Sequence, residues 1–357
     1  DGNPNSNFNA QFLGINGGQA LDPGFTGEIN RKELLPALFF SYRPVEGLKA
    51  TAAFSTTMVR PSFKDFTYIS SRDPIDLDYF IGNPTLETSD VSSFDFRIEY
   101  AYGDGDLLSL GVFHKTITNP VERTTVRGSQ ATTEIVYNNP SDATITGVEF
   151  EFRKNLSFLP LDGAEYFSVG GNAAWIEGTV DVLPAIRDIM SGGFVYQSAP
   201  DANGNRQQLI AAGGFYVLDD ADSPDGQVRV LPAYSERELF QQPEWIVNAD
   251  ITFEHPNWGT RATLALFAQS RVLDRAEGYL LDLGVATPSI YAKSFYELNF
   301  TVRQDLSRWL EGAVISFEVK NLTDSTRGIE YGEEAGGGSL DEYTVGRTFG
   351  LGFSYAF

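Results

Sequence analysis

The sequence predicts an all-β protein, a transmembrane antiparallel up-and-down β-barrel with about 11 strands in this chain. Composition is the first observation, because 357 residues include 35 Gly, 27 Phe and 16 Tyr but only 2 Met. Abundant glycine and aromatic residues with few helix formers are typical of β structure. The second observation is a series of segments in which apolar and polar residues alternate. The third is that the connections between these segments alternate between short and long.

The strand segments are recognised by side chains that alternate between two faces with a period of two residues. In 92–102, Phe94, Phe96 and Ile98 share one face, and charged residues share the other. Strands of about 10 to 12 residues, tilted by about 40°, cover an apolar band of roughly 25 Å. The predicted strands are 34–42, 48–59, 91–102, 107–118, 142–153, 164–180, 242–254, 260–271, 291–305, 313–322 and 342–357.

The polar faces of these segments carry fixed charges of both signs in mid-strand, which suits a water-filled or plugged lumen. One interpretation is a polar interface with a removable plug, and the other is cross-strand ion pairing, which can coexist with it. Paired carboxylates such as Glu149 and Glu151 could act as acid and base, but a position on the lumen wall explains them better. The predicted lumen-facing residues are Asp95, Arg97, Glu99, Glu149, Glu151, Arg153, Asp250, Glu254, Glu297, Arg303, Glu318 and Lys320.

The connections sort by length, as expected for a barrel with short periplasmic turns and long extracellular loops. Trp258 and Trp309 fall in short connections, where an aromatic girdle would lie at the membrane interface. The short connections are 43–47, 103–106, 154–163, 255–259 and 306–312. The long connections are 60–90, 119–141, 181–241, 272–290 and 323–341.

The order of short and long connections also predicts how the strands run. A long loop precedes the last segment, so that strand runs inward, and counting back makes 34–42 an inward strand too. Bacterial single-chain barrels have an even number of strands and begin in the periplasm. We therefore expect residues 1–357 to be the C-terminal half of a roughly 22-stranded, plugged barrel, with the N-terminal plug and the first strands outside this chain.

Composition excludes several classes of function. The net charge of −22 argues against nucleic acid and anionic membrane surfaces as partners. Two histidines and no cysteine cannot form a clustered metal or haem site, so we expect no cofactor. No apolar run has the length of a membrane-spanning helix. The phosphate-binding glycine loop, the nucleophile elbow and the zinc-protease motif are all missing from the sequence, so we expect no enzyme.

Several stretches together resemble the TonB-dependent receptors of Gram-negative outer membranes. Each stretch alone is weak, but their order and spacing along nearly the whole chain are specific. The last two are similar to the family's final hairpin, which closes the barrel. The stretches are LLPALFFSYRPVEGLKATAAFSTTMVRPSF (34–63), GNPTLETSDVSSFDFRIEYAY (82–102), FQQPEWIVNADITFEH (240–255), FEVKNLTDS (317–325) and GRTFGLGFSYAF (346–357).

The resemblance implies active import of a scarce nutrient, a ferric siderophore or an oligosaccharide, energised by the TonB complex through the missing N-terminal part. It also implies that the barrel-assembly machinery recognises the terminal Phe357, although Phe357 could simply be one more girdle aromatic. Lipopolysaccharide, phospholipid and a surface lipoprotein are the other partners to consider. The alternatives are a passive diffusion porin and a soluble β-sandwich adhesin or lectin; mid-strand charges opposite Phe and Tyr faces argue against the sandwich.

The long loops are rich in aromatic residues, which form the candidate ligand site. Aromatic rings stack on sugar rings or siderophore catechols, and a tyrosine hydroxyl adds a hydrogen bond. The alternative is that these rings pack the loops against one another. The candidates are Tyr68, Tyr79, Phe80, Tyr137, Tyr196, Phe215, Tyr216, Tyr234, Tyr279 and Tyr331.

The loops also carry excess negative charge, with nine acidic residues against four arginines in 181–241. This excess suits either capture of cationic or metal-bearing ligands or a hydrated extracellular surface. Asp220, Asp222 and Asp225 form a weak calcium candidate, because their spacing misses the usual loop pattern by one residue. Arg347 lies on the lipid-side face near the outer rim, where it could reach lipopolysaccharide phosphates or be turned inward by a bulge.

Overall fold

The structure is a computed structural model. Its backbone is described for residues 28–67, 70–72, 79–103, 105–127, 132–182, 194–196, 208–210, 216–217, 229–230, 236–276, 278–280, 285–287, 289–332 and 338–356. Side chains are described for the same residues except those at 70–72, 125–127, 132–133, 194–196, 208–210, 216–217, 229–230, 278–280 and 285–287.

β-strands dominate the described residues. Helical structure there comprises α1 (Phe63–Phe66) and a 3₁₀ turn at Ala164–Tyr166. Neither has the length or hydropathy of a membrane-spanning helix. In chain order the strands are β1 (Ala37–Val45), β2 (Leu48–Val59), β3 (Ser70–Arg72), β4 (Tyr79–Ile81), β5 (Ser89–Tyr102), β6 (Asp106–Thr118), β7 (Val121–Arg127), β8 (Thr132–Asn138), β9 (Ala143–Asn155), β10 (Phe167–Asp181), β11 (Phe194–Tyr196), β12 (Gln208–Ile210), β13 (Tyr216–Val217), β14 (Arg229–Val230), β15 (Glu236–Glu238), β16 (Trp245–His255), β17 (Thr260–Gln269), β18 (Val272–Arg275), β19 (Gly278–Leu280), β20 (Val285–Thr287), β21 (Ile290–Ala292), β22 (Phe295–Asp305), β23 (Ala313–Lys320), β24 (Thr326–Tyr331), β25 (Ser339–Thr344) and β26 (Thr348–Tyr355).

One large antiparallel sheet organises the fold. Its strands follow the order β1-β2-β5-β6-β9-β10-β16-β17-β22-β23-β26, so each pairs with its nearest long neighbour in sequence, and β15 pairs beside β10. These eleven strands correspond one to one with the predicted segments. The sheet is open within the described residues, since β1 and β26 lie at its two ends. The predicted up-and-down antiparallel architecture is confirmed.

Several strand boundaries differ from the sequence prediction. The strand predicted from 291 begins at Phe295, and Ile290–Ala292 forms β21 in a separate sheet. The last strand begins at Thr348, and Ser339–Thr344 instead forms β25 in a separate sheet. Gly346 explains the break, because its φ of +79° reverses the extended chain between the two strands. The segment predicted from 164 begins as a strand at Phe167, after a 3₁₀ turn that starts behind Gly163, whose φ is +86°.

The two faces of the large sheet differ in chemistry and in exposure. On β26, Phe349 and Leu351 expose 67% and 82% of their surface, and the phenylalanines of β5 are also exposed. In β5 the charged residues that alternate with these rings are the more covered set. A soluble sheet buries its apolar face, whereas a barrel wall turns it toward lipid. The exposed apolar face is therefore the lipid-facing one.

Short and long connections lie at opposite ends of the strands, as predicted. The shortest joins β1 to β2 through Glu46 and Gly47. A Cβ on Gly47, whose φ is +78°, would lie 2.2 Å from the carbonyl oxygen of Ala101, so only glycine fits. At the same end, the rings of His255 and Trp258 stack with centroids 4.2 Å apart, and Trp309 is largely exposed. These aromatics fit an interfacial girdle.

The long connections fold against one another at the other end. β20-β19-β7-β8-β4-β3 form one sheet from three different connections, and β18-β21-β24-β25 form a second from two. The pairs β4–β8 and β7–β19 are parallel and join separate connections directly. Fully buried apolar side chains lie mainly here, around Phe80, Leu239 and Leu273. The packed core therefore belongs to the outer end of the molecule.

Candidate functional site

The charged face of the large sheet brings the predicted lumen residues of β5 and β9 together. Across β6, Arg97 and Glu149 are both in register with Gly111, whose missing side chain leaves room between them. The Arg97 guanidinium donates to Glu151 Oε2 at 2.5 Å and lies 3.4 Å from Glu99 Oε1. Lys49 Nζ reaches Glu99 Oε2 at 2.9 Å. Cross-strand ion pairing is therefore present on this wall.

The other predicted lumen residues fall into two groups. Some have nearby partners, of which the closest are Asn299 Nδ2 donating to Glu297 Oε1 at 3.0 Å and Thr252 Oγ1 donating to Asp250 at 3.3 Å. Arg327 also lies 3.4 Å from Glu297. Weaker ion pairs join Lys320 to Glu318 and Arg261 to Glu254. Arg303 lies two residues from Asp305 on the same face of β22. In contrast, the side chains of Asp95, Glu149 and Arg153 make no ion pair or hydrogen bond with other described residues.

A polar recess of about 220 Å³ lies in this wall. Arg97, Glu149, Glu151 and Asn172 contribute its polar lining, and Ala174 borders it with a small side chain. Arg97 Nε is buried there and makes no hydrogen bond with the described residues, although it lies 3.4 Å from Glu99 Oε1. The wall thus offers unpaired carboxylates beside paired charges, which is the chemistry of a hydrated protein contact surface.

The loop aromatics occupy different environments. Phe80 is 5% exposed and packs on Leu86 and Val136, with Lys64 Nζ 4.0 Å above its ring. Tyr137 is 7% exposed. These two rings pack the loops, as in the second interpretation. Tyr79 and Tyr331 are partly exposed.

The remaining predicted site residues lie outside the described residues, wholly or in their side chains. Ligand contact by the loop aromatics stays a prediction. Backbone alone is described for Tyr196, Tyr216 and Tyr279. Residues wholly outside are Tyr68, Phe215, Tyr234, Asp220, Asp222, Asp225 and Phe357.

A buried ion pair joins two of the outer connections. Arg237 of β15 donates to Glu122 Oε2 of β7 at 2.8 Å, with side chains 3% and 2% exposed. Asn139 donates to the same oxygen at 2.8 Å, and Tyr137 donates to it at 3.3 Å. Sequence reasoning missed this pair, because the partners are 115 residues apart and neither follows a motif. Buried charges need such partners to be tolerated.

A second ion pair network holds the same region. Arg123 donates to Asp65 Oδ1 at 2.9 Å and to Glu134 Oε1 at 3.1 Å. Asp65 also accepts from Ser62, the residue that caps α1. α1 follows β2, whereas β7 and β8 follow β6, so the network joins two long connections.

Comparison with known proteins identifies the family. The model for the β-barrel of TonB-dependent receptor-like proteins matches residues 6–322. The chain belongs to that family. No match to a curated protein was found.

Solved structures with a similar fold include a receptor and a transporter. A ferric enterobactin receptor (PfeA) variant from Pseudomonas aeruginosa is 15% identical with a TM-score of 0.52, and the alignment covers 90% of this chain and 40% of that one. The copper transporter OprC is 11% identical with a TM-score of 0.54, covering 90% and 39%. This receptor-barrel chain thus spans about two fifths of the length of either neighbour. At these identities the similarity shows the fold alone.

Arg347 lies at the outer rim of the receptor barrel, in the turn before β26. Its Nε donates to the carbonyl oxygen of Leu322 at 2.9 Å, and its guanidinium lies 4.0 Å from Asp324. Half of the side chain remains exposed. The arginine therefore caps a loop carbonyl, and its contact with lipopolysaccharide stays a prediction.

Beside the sheet β18-β21-β24-β25 of the receptor barrel, Lys293 Nζ donates to Glu342 Oε2 at 2.9 Å. This hydrogen bond lowers the pKa of the Glu342 carboxyl below its ordinary value, with a smaller contribution from Thr326. The contact joins β25 to the connection between β21 and β22.

Proposed function

We propose that this chain is the C-terminal barrel portion of an outer-membrane receptor that binds a scarce nutrient outside the cell and imports it through a plugged barrel. The observation that carries the proposal is the pairing of a lipid-exposed apolar face with a charged inner wall that holds unpaired carboxylates. Membership of the TonB-dependent receptor family supports it. Transport of this kind involves no covalent chemistry, so the protein is not an enzyme and needs no cofactor.

The proposed cargo is a ferric siderophore or an oligosaccharide. The neighbour described as a ferric enterobactin receptor supports the first, and the neighbour described as a copper transporter supports metal uptake more generally. The loop aromatics are the proposed contacts for either cargo. Excess acidic residues in the loops suit a cargo that carries positive charge or a metal.

The proposed partners follow from the same architecture. The TonB complex supplies energy through an N-terminal plug and coupling segment, and the plug contacts the unpaired charges of Asp95, Glu149 and Arg153. Hydrated polar contacts let a plug shift under force more readily than an apolar interface would. The barrel-assembly machinery recognises Phe357, lipopolysaccharide and phospholipid surround the barrel, and a surface lipoprotein is a further candidate partner.

Growth and uptake by a deletion strain test this function. We expect the strain to lose growth or uptake in one condition only, either on iron-limited medium or on one glycan, with small-solute leakage unchanged. Complementation with the intact gene should restore it. A strain with no nutrient-specific defect but reduced passive entry of small solutes would contradict the proposal and favour a diffusion porin.

A further inference from the structure

An apolar recess of about 210 Å³ interrupts the charged inner wall at its outer end. It lies where β2, β5, β6 and β9 meet the start of β7 and the segment that follows β15. Its apolar lining consists of Val59, Val91, Ile117, Pro120, Val121, Ile145, Leu239 and Phe240.

The recess belongs to the lumen side of the sheet. Val91 lies four residues from Asp95 on β5, so both side chains point to the same face. Val91 is in register with Ile117, and Ile145 is in register with Lys115 two residues away. Along this face the wall changes from charged residues at mid-strand to aliphatic residues at the outer end.

The apolar recess is larger than the voids that protein interiors usually leave. Protein interiors leave few voids larger than a water molecule. Apolar walls hold water poorly, and an apolar cavity of about 150 Å³ accommodates benzene. A recess of this volume, beside the buried cluster of Ala143, Val180 and Leu239, is therefore suited to a group the size of a substituted aromatic ring.

Glu122 adds one polar feature to the lining. Its Oε2 accepts from Arg237, Asn139 and Tyr137, whereas its Oε1 is buried and has no hydrogen-bond partner among the residues that the structure describes. A buried acceptor without a donor is unfavourable, so a donor at this position would stabilise the site. Because Arg237 already balances the carboxylate, the fitting donor is uncharged.

We propose that this recess is a binding subsite for an uncharged apolar group, an aryl or branched alkyl group bearing a hydroxyl, on the molecule that the receptor takes up. Only the identity of that molecule as cargo rests on the proposed function. Binding of the group itself is a property of the folded protein and is measured without transport.

The experiment uses the full-length receptor and the probe 4-bromophenol. Crystals soaked with it should show bromine anomalous density in the recess, stronger than with bromobenzene, which lacks the hydroxyl. In solution, ¹⁹F NMR with 4-fluorophenol should give a dissociation constant about tenfold higher for Ile145→Phe than for the wild type, because the phenylalanine fills the recess. Val148→Phe is the matched control, since it lies on the same strand with its side chain exposed on the lipid face, and it should bind like the wild type.

Three results would overturn the proposal. They are absence of bromine density in the recess, equal affinity in the wild type and Ile145→Phe, and a recess filled by another part of the full-length chain. If Ile145→Phe fails to fold, Val91→Phe fills the same space from β5. A deletion strain without a nutrient phenotype would contradict the proposed import but leave probe binding intact, so the two failures are distinguishable.

Discussion

At the scale of single residues, the buried pair of Glu122 and Arg237 has the largest expected effect. Removing one partner leaves a buried charge without compensation, which costs about 3–5 kcal/mol. We expect Arg237→Met to loosen β7 and β15, seen as faster amide exchange there and faster external proteolysis. Adding Glu122→Leu should recover part of this loss.

Arg261→Met is the control for that prediction. Arg261 lies 3.9 Å from Glu254 with both side chains well exposed, and exposed pairs contribute about 0–1 kcal/mol. In the Arg261→Met variant, the outer loops should show the same rates of amide exchange and proteolysis as in the wild type. Equal behaviour of the two arginine variants would show that the Glu122–Arg237 pair does not stabilise the outer loops.

The lowered pKa of Glu342 predicts that the stability of the sheet β18-β21-β24-β25 depends on pH. Its pKa is lowered below the ordinary value of 4.5, chiefly by the hydrogen bond from Lys293. A carboxyl with a lowered pKa stabilises the folded state above its ordinary pKa, and the contribution disappears as pH falls through the folded value. We expect carboxyl NMR to show the Glu342 pKa rising toward 4.5 in Lys293→Met. An unchanged pKa in that variant would rule out the lysine as the cause.

At the scale of elements, β26 tests which face meets lipid. A cation at the bilayer midplane costs about 2–4 kcal/mol on the lipid side of a barrel. Leu351→Lys should therefore lower folding yield and urea resistance in lipid vesicles, measured by heat-modifiable gel mobility. Thr301→Lys on the charged face of β22 is the control and should fold like the wild type. Equal loss in both variants would contradict the assignment of faces.

A second prediction at the scale of elements concerns the stability contributed by glycine in the β1–β2 turn. Gly47→Ala combines a left-handed φ with a Cβ forced against the Ala101 carbonyl, so we expect a lower urea midpoint. Gly105→Ala is the matched control, because its φ is +91° but a Cβ there would have no atom within 4 Å among the described residues. If both variants lose the same stability, backbone conformation alone explains glycine at 47.

At the scale of the whole molecule, the large sheet could be predicted because its signals are local. Alternation at Phe94–Asp95–Phe96 and the turn at Gly47 each lie within a few residues, and together they determine strands, faces and order. The outer sheets could not be predicted in this way. Pairing of β4 with β8, or of Glu122 with Arg237, depends on contacts between distant connections that leave no periodic pattern in the sequence.

A disulfide staple tests these pairings between connections. Ile81 of β4 and Ile135 of β8 are register partners, and the chain has no natural cysteine. We expect Ile81→Cys with Ile135→Cys to form a disulfide under oxidising conditions, detected by a mobility shift that reductant reverses. Each single variant is the control. A double variant that stays reduced would contradict the parallel pairing.

For the import proposed above, the outer sheets have a consequence for how fast a molecule can enter. Strands from several connections share backbone hydrogen bonds, so one connection cannot swing aside without breaking bonds made by its neighbours. Fluctuations of such a unit are cooperative, and its opening is rarer than that of a free loop. The rate of nutrient capture would then be set by this collective opening. As the external nutrient concentration rises, the capture rate would stop increasing well before diffusion became limiting.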